Sequence, residues 1–171
     1  MKMIARIKKW WDEKWVNYHK EMKEFERRRG MIDSNGSTKR KPEDEEMIIA
    51  IDFDGTIVEH QYPEIGKPVP GAIETMKEIL KSGSKIILWT MRSGPELAAA
   101  VKYLEEKDIK LFGINKNVDQ LSWTLSPKAY ANLYIDDSAA GCPLRSSFTT
   151  DRLMVDWSKI DLKVLGIDDG K

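Results

Sequence analysis

From Met47 onward, short apolar runs alternate with helical patterns: MIIAID at 47–52, GAIETMKEILKSG at 71–83, KIILWT at 85–90, PELAAAVKYLEEKD at 95–108, LFGI at 111–114 and NLYIDD at 132–137. Such alternation belongs to a parallel sheet whose strands are joined by crossover helices. The runs are apolar on both faces, as strands enclosed between helix layers must be. The expected fold is therefore α/β: a Rossmann-like three-layer sandwich around a mainly parallel sheet of about five strands, preceded by an N-terminal amphipathic helix.

That helix is read from Ile4, Ile7, Trp11, Trp15, Tyr18, Met22 and Phe25, which recur at spacings of three and four with Lys, Arg and Glu between them. Basic residues and Gly30 in RRRG suit its C-terminal end. Residues 31–46, MIDSNGSTKRKPEDEE, are polar and rich in turn formers, a linker composition. Three segments result: a helix over 1–30, a linker over 31–46 and a domain over 47–171. Trp10, Trp11 and Trp15 stand beside Lys8, Lys9 and Lys14, but acids are mixed throughout. Packing against the domain or against a second copy of the chain, as a homo-oligomer, is favoured over a membrane surface.

Twenty-eight basic and 28 acidic residues give a formal charge of zero, so net charge argues for neither nucleic-acid attraction nor an acidic-tail function. The single cysteine, Cys142, has no intramolecular disulfide partner and no cluster beside it for zinc, which favours a cytoplasmic setting. No segment approaches the roughly 20 apolar residues of a membrane span.

In open parallel sheets the reactive crevice lies beyond the carboxyl ends of the strands. Three apolar runs end there in polar residues: Asp52 and Asp54, then Thr90 and Arg92, then Asp136 and Asp137, with Lys128 a little upstream. Asp52 and Asp54 stand at i and i+2 of an extended segment and so share one side. Asp52, Asp136 and Asp137 would repel in a confined crevice. A divalent cation with oxygen ligands, magnesium above all, is the natural neutraliser. Lys128, Arg92 and the Thr90 hydroxyl are groups that a transferring phosphoryl needs around its oxygens.

DFDGT, LWT, a lysine and YIDD, in that order, resemble the four motifs of the haloacid dehalogenase-like phosphohydrolases, and the resemblance covers residues 47–171. It implies that Asp52 attacks phosphorus to form an aspartyl-phosphate. Asp54 would act as general acid and then base, and would also ligate magnesium through its main-chain carbonyl. Thr90 and Lys128 would hold phosphoryl oxygens, with Asp136 and Asp137 as the acidic pair at the metal. Covalent capture divides one difficult displacement into two easier ones. A placed proton donor is worth about 10²- to 10⁴-fold in rate.

Only IVEHQYPEIGKPVP follows the first motif, and one helix and one short strand fill the interval from Arg92 to Lys128, so the enzyme resembles the capless members of the family. The expected partner is a phosphorylated small molecule, or a nucleotide or nucleic-acid end, since WTMRSG is similar to the second motif of polynucleotide kinase-phosphatases. A calcium loop is disfavoured because Gly55 directly follows the second aspartate. A non-enzymatic aspartyl-phosphate switch uses similar residues, but there the acidic pair comes first. Lys116 is a rival to Lys128. Arg92 divides evenly between substrate phosphate and an acid partner. His60 and Tyr62 lie on the loop after the nucleophile, where a lone histidine is more often only solvated.

Overall fold

A computed structural model of the chain describes residues 47–161, together with Lys20 and Lys163. The expected N-terminal helix and linker, Lys20 apart, lie outside the described residues. Of the described residues, 47–118 and 128–161 belong to one compact unit and 119–127 to another. The described part of that second unit is a 3-10 turn, Gln120–Ser122, closed by Ser122 Oγ donating to Asp119 O and Gln120 Nε2 donating to Ser126 O.

In the larger unit the elements run β1 (Ile48–Asp52), α1 (Ala72–Lys81), β2 (Lys85–Trp89), α2 (Gly94–Glu105), β3 (Gly113–Ile114), β4 (Leu133–Ile135), β5 (Leu144–Ser146), β6 (Leu153–Val155) and a final 3-10 turn, Trp157–Lys159. In α1, Ala72, Ile73, Met76 and Ile79 are buried at helical spacing. Glu74 lies in its first turn and Lys81 in its last, as the helix dipole favours. Gly71 enters α1 at φ 83°, a conformation that glycine adopts without strain. In α2, Pro95 sits in the first turn, where its missing N–H costs nothing, and Ala100 and Leu104 are buried.

The strands order as β3-β2-β1-β4, all parallel, with Ile49 opposite Ile86 on one side and Leu133 on the other. Two crossovers carry the chain outward from β1, after which it returns to β1's other edge. The order thus reverses between β1 and β4, the position where open α/β sheets place their crevice.

Alternation along β1 and β2 sorts the core. Ile49, Ile51, Ile86 and Leu88 join the buried residues of both α1 and α2, so the two helices belong to one face. Each fully buried isoleucine contributes roughly 2 kcal/mol. Ile48, Ala50 and Ile87 take the other face with Trp89, Phe112, Ala131 and Tyr134, where Trp89 and Tyr134 meet edge to face at 5.9 Å. Pleat parity gives Asp52 the side of Ile48 and Ala50. Phe53, fully buried, goes to the helix side, edge-on to Tyr103 at 6.1 Å.

The parallel sheet has four strands among the described residues, against the expected five or so. β5 and β6 pair only with each other, antiparallel, with Leu144 opposite Val155. Short, apolar LMV at 153–155 could have joined a parallel sheet on composition alone. Its return after a tight connection makes it a hairpin partner instead. No helix among the described residues is long and apolar enough to cross a membrane.

Candidate active site

β1 ends at Asp52, and the chain turns at once because Gly55 takes φ 91°. Space demands glycine as well as conformation does: a Cβ there would stand 2.2 Å from His60 Nε2 and 2.7 Å from Asp137 Oδ2. The turn is fastened by the C-terminal hairpin. Val155 N donates to Gly55 O at 2.8 Å, and Trp157 Nε1 donates to Thr56 O at 2.7 Å.

Within this turn, fully buried Thr56 links the two strand ends. Its hydroxyl donates to Asp52 Oδ2 at 3.1 Å and accepts from Asp137 N at 3.2 Å. Asp52, Asp136 and Asp137 each bring a carboxylate oxygen within 4.8 Å of the others. Burial pushes the Asp52 carboxyl up to about 7; the Phe53 N–H and Thr56 hydroxyl oppose the rise, while Asp136 and Asp137 add to it. Ser138 N donates to Asp136 Oδ1 at 2.8 Å, and His60 Nε2 stands 2.8 Å from Asp137 Oδ2.

Asp54 leaves this cluster. Arg92, whose side chain is 1% exposed, grips it with two bonds, Nε to Oδ2 at 2.7 Å and Nη2 to Oδ1 at 2.8 Å. The same guanidinium donates to Pro63 O at 2.8 Å and Glu64 O at 2.7 Å, and its carbon lies 5.0 Å from the Phe53 ring centroid and 5.3 Å from that of Tyr62. Of the two readings that the sequence left even for Arg92, this arrangement matches the acid partner. Its fork geometry suits a carboxylate.

Thr90 follows β2 and is buried. Its backbone is held from both sides by Asn115, whose Oδ1 accepts from Thr90 N and whose Nδ2 donates to Thr90 O, each at 2.7 Å. Asn115 sits at φ 52°, a left-handed conformation that asparagine tolerates better than most residues. Thr90 Oγ1 accepts from Arg92 N at 3.1 Å, which leaves the hydroxyl's own proton to donate elsewhere. Lys128 is exposed, with Nζ 6.0 Å from the Tyr134 ring centroid, on the same side of the sheet as Asp52 by parity. Lys116 is also exposed; its carbonyl crowds Gly113, where a Cβ would lie 2.2 Å away.

The structure thus brings Asp52, Asp136 and Asp137 together, sets the Asp54 carboxylate aside on Arg92, and places Thr90 at the neighbouring strand end. Thr56, His60 and Asn115 join the site without having been singled out as its members. DFDGT contains Thr56, and alternation of its aspartates could have drawn attention to it. Asn115 follows LFGI much as Thr90 follows KIILW. The sequence assigns His60 to solvent, because a long-range pairing with Asp137 has no local signature.

No family model and no curated protein matches the chain. A conserved protein from Bacteroides thetaiotaomicron with a solved structure is similar to it, at 39% identity and a TM-score of 0.52, over 57% of this chain and 80% of that one. The chain belongs to that protein's family. Family membership carries the α/β fold; the chemistry has to be argued from side chains.

On that footing, the cluster is a fit for a hard divalent cation. The donors converging from the ends of β1 and β4 are all carboxylate oxygens, and burial, with Asp136 and Asp137 adding to it, pushes the Asp52 carboxyl up to about 7. The nearby His60 nitrogen is engaged with Asp137.

Proposed function

We propose that the chain is a magnesium-dependent phosphomonoester hydrolase of the haloacid dehalogenase-like type, working through an aspartyl-phosphate on Asp52. The observation that carries this reading is the convergence of Asp52, Asp136 and Asp137 at the switch point between β1 and β4. The finer fold description, a Rossmann-like three-layer sandwich, and a cytoplasmic setting belong to the same proposal.

Asp52 Oδ attacks phosphorus, the new O–P bond forms, and the ester oxygen departs with its electron pair. Asp54 gives that oxygen a proton, a step for which its carboxyl has to release at least one of the two Arg92 bonds that occupy its oxygens in this arrangement. In the second half, a water attacks the aspartyl-phosphate, Asp54 takes the water's proton, and phosphate leaves with Asp52 restored. Thr56 holds the nucleophile by its Oδ2 and ties it to Asp137 N, so nucleophile and acidic pair are set by one hydroxyl. The Thr90 hydroxyl donates to a phosphoryl oxygen, and Lys128 supplies positive charge there. Arg92 fixes the carboxylate of Asp54 and, through Pro63 O and Glu64 O, the loop that carries it. Magnesium held by Asp52, Asp136, Asp137 and the Asp54 carbonyl would offset the repulsion between carboxylate and phosphate.

The test is phosphate release from p-nitrophenyl phosphate with magnesium present or withheld. Wild type should turn over only with the cation, and Asp52→Asn should not turn over at all. Full activity in Asp52→Asn removes the mechanism, and stable phosphorylation of Asp52 without turnover makes the chain a switch rather than an enzyme.

A further inference from the structure

The loop that follows Asp54 displays an exposed aromatic ring against the side chain that holds the Asp54 carboxylate. Tyr62 is 64% exposed, yet its ring is not loosely placed: the Arg92 guanidinium carbon stands 5.3 Å from its centroid. That guanidinium is itself held in place, with its carbon 5.0 Å from the Phe53 centroid as well, and bonded to Asp54 and to the carbonyls of Pro63 and Glu64, which directly follow Tyr62. An unbroken set of contacts therefore runs from the Asp54 carboxylate through Arg92 to the Tyr62 ring.

The chemistry of the site gives this set a direction. Asp54 protonates the departing oxygen, so the body of the leaving group lies on the Asp54 side of the phosphorus, above the buried Arg92 that backs both Asp54 and the exposed Tyr62 ring. A sugar ring separates phosphate from base in a nucleotide, and that spacer carries a base past Asp54 toward Tyr62. With one face on a cation, the Tyr62 ring keeps its remaining surface for a planar partner.

We propose that Tyr62, backed by Arg92, is a stacking platform for the base of a phosphorylated nucleoside. The inference rests on the phosphohydrolase reading for its direction but names a substrate class that the catalytic aspartates do not. A free mononucleotide and a phosphorylated strand end share this chemistry.

The full-length chain is assayed with magnesium on adenosine 5′-monophosphate, adenosine 3′-monophosphate, a 5′- and a 3′-phosphorylated hexanucleotide, and ribose 5-phosphate. The expected result is a preference in kcat/KM for a base-bearing substrate over ribose 5-phosphate. Tyr62→Ala should reduce that preference by about 5- to 150-fold, the range of a single base–aromatic stack, and Tyr62→Phe should restore it. A merely structural role for Tyr62 would lower all substrates together and leave the ratio unchanged, which overturns the proposal. Greater activity on mononucleotides or on hexanucleotides supports it and identifies the source. Calorimetric binding of the same compounds to Asp52→Asn and to Asp52→Asn with Tyr62→Ala separates the two readings. Tyr62-dependent nucleotide binding by a chain that hydrolyses no ester keeps the platform and removes the phosphatase. Turnover of p-nitrophenyl phosphate without a Tyr62-dependent base preference does the reverse.

Discussion

Asp52 and Glu59 flank the same turn, both are withdrawn from water, and their carboxyls move in opposite directions. Asp52 is pushed up to about 7 by burial, with two further acids adding to the effect. Burial pushes Glu59 up as well, but the Ser147 and Thr149 hydroxyls and the Thr149 N–H overcome it, with Lys67 adding positive charge, and hold the carboxyl below its ordinary value. All three donors meet Glu59 Oε2, the N–H at 3.1 Å, and they come from the connection between β5 and β6. Burial by itself does not decide a carboxylate's charge; the donors and charges around it do. Glu59 is a satisfied anchor that straps the hairpin to the loop after Asp52. Asp52 is left short of compensation, which a divalent cation held with Asp136 and Asp137 would provide.

The sharpest way to break this contrast is to neutralise each acid in turn. Asp52→Asn should abolish phosphate release, a loss of at least about 10³-fold. It should nevertheless raise the melting temperature near neutral pH, because a poorly compensated charge is removed. A variant that loses activity and stability together would place Asp52 in the same class as Glu59. Arg92→Gln tests the neighbouring acid, Asp54. Breaking a buried pair typically costs about 3 kcal/mol, and urea unfolding should show a loss of that order together with a lower kcat. Glu59→Gln should leave the acidic cluster's cation affinity intact and lower stability by about 2 kcal/mol through the hairpin strap, as measured by chemical denaturation. Equal losses of cation affinity in Glu59→Gln and Asp52→Asn would erase the distinction.

The smallest expected effect is the pH dependence of the cation-free chain. Asp52 has its folded value raised from 3.8 to about 7, so between those limits the native state holds a proton that the unfolded chain has released. Its contribution to stability is full below 3.8 and is lost as pH rises through about 7, with a slope of at most about 1.4 kcal/mol per pH unit. Glu59 has the opposite sign. Its contribution is present above its unfolded value of 4.5 and is lost as pH falls through the depressed folded value. Melting curves from pH 3 to 8 should lose the first slope in Asp52→Asn, or on adding magnesium, and the second in Glu59→Gln.

Much of this site was legible from residue order. Apolar runs ending in DFDGT, WTMR and YIDD announce strands with polar residues at their carboxyl ends, and a parallel sheet brings such ends to one rim. Parity along MIIAID also sends Phe53 and Asp52 to different faces, a local consequence of the pleat. The hairpin of β5 and β6 was not read, because LRS and LMV are too short for period or composition to distinguish parallel from antiparallel pairing. Glu59, in a polar loop, gave no sign of burial, since its three donors lie almost ninety positions further on.

Sequence alone determined which residues could do the chemistry: the α/β alternation, the two aspartates at i and i+2, and the glycine that lets the chain turn after them. These depend on periods of two and four and on local backbone freedom, which neighbours along the chain set. Tertiary structure decided how those residues divide. It sent the Asp54 carboxylate to Arg92, tied Asp52 to Asp137 through Thr56, placed His60 on Asp137, and made Glu59 a strap. Each of those choices depends on a partner from a distant strand end, and the energy of a buried charge is set by whatever the fold brings within a few ångströms of it.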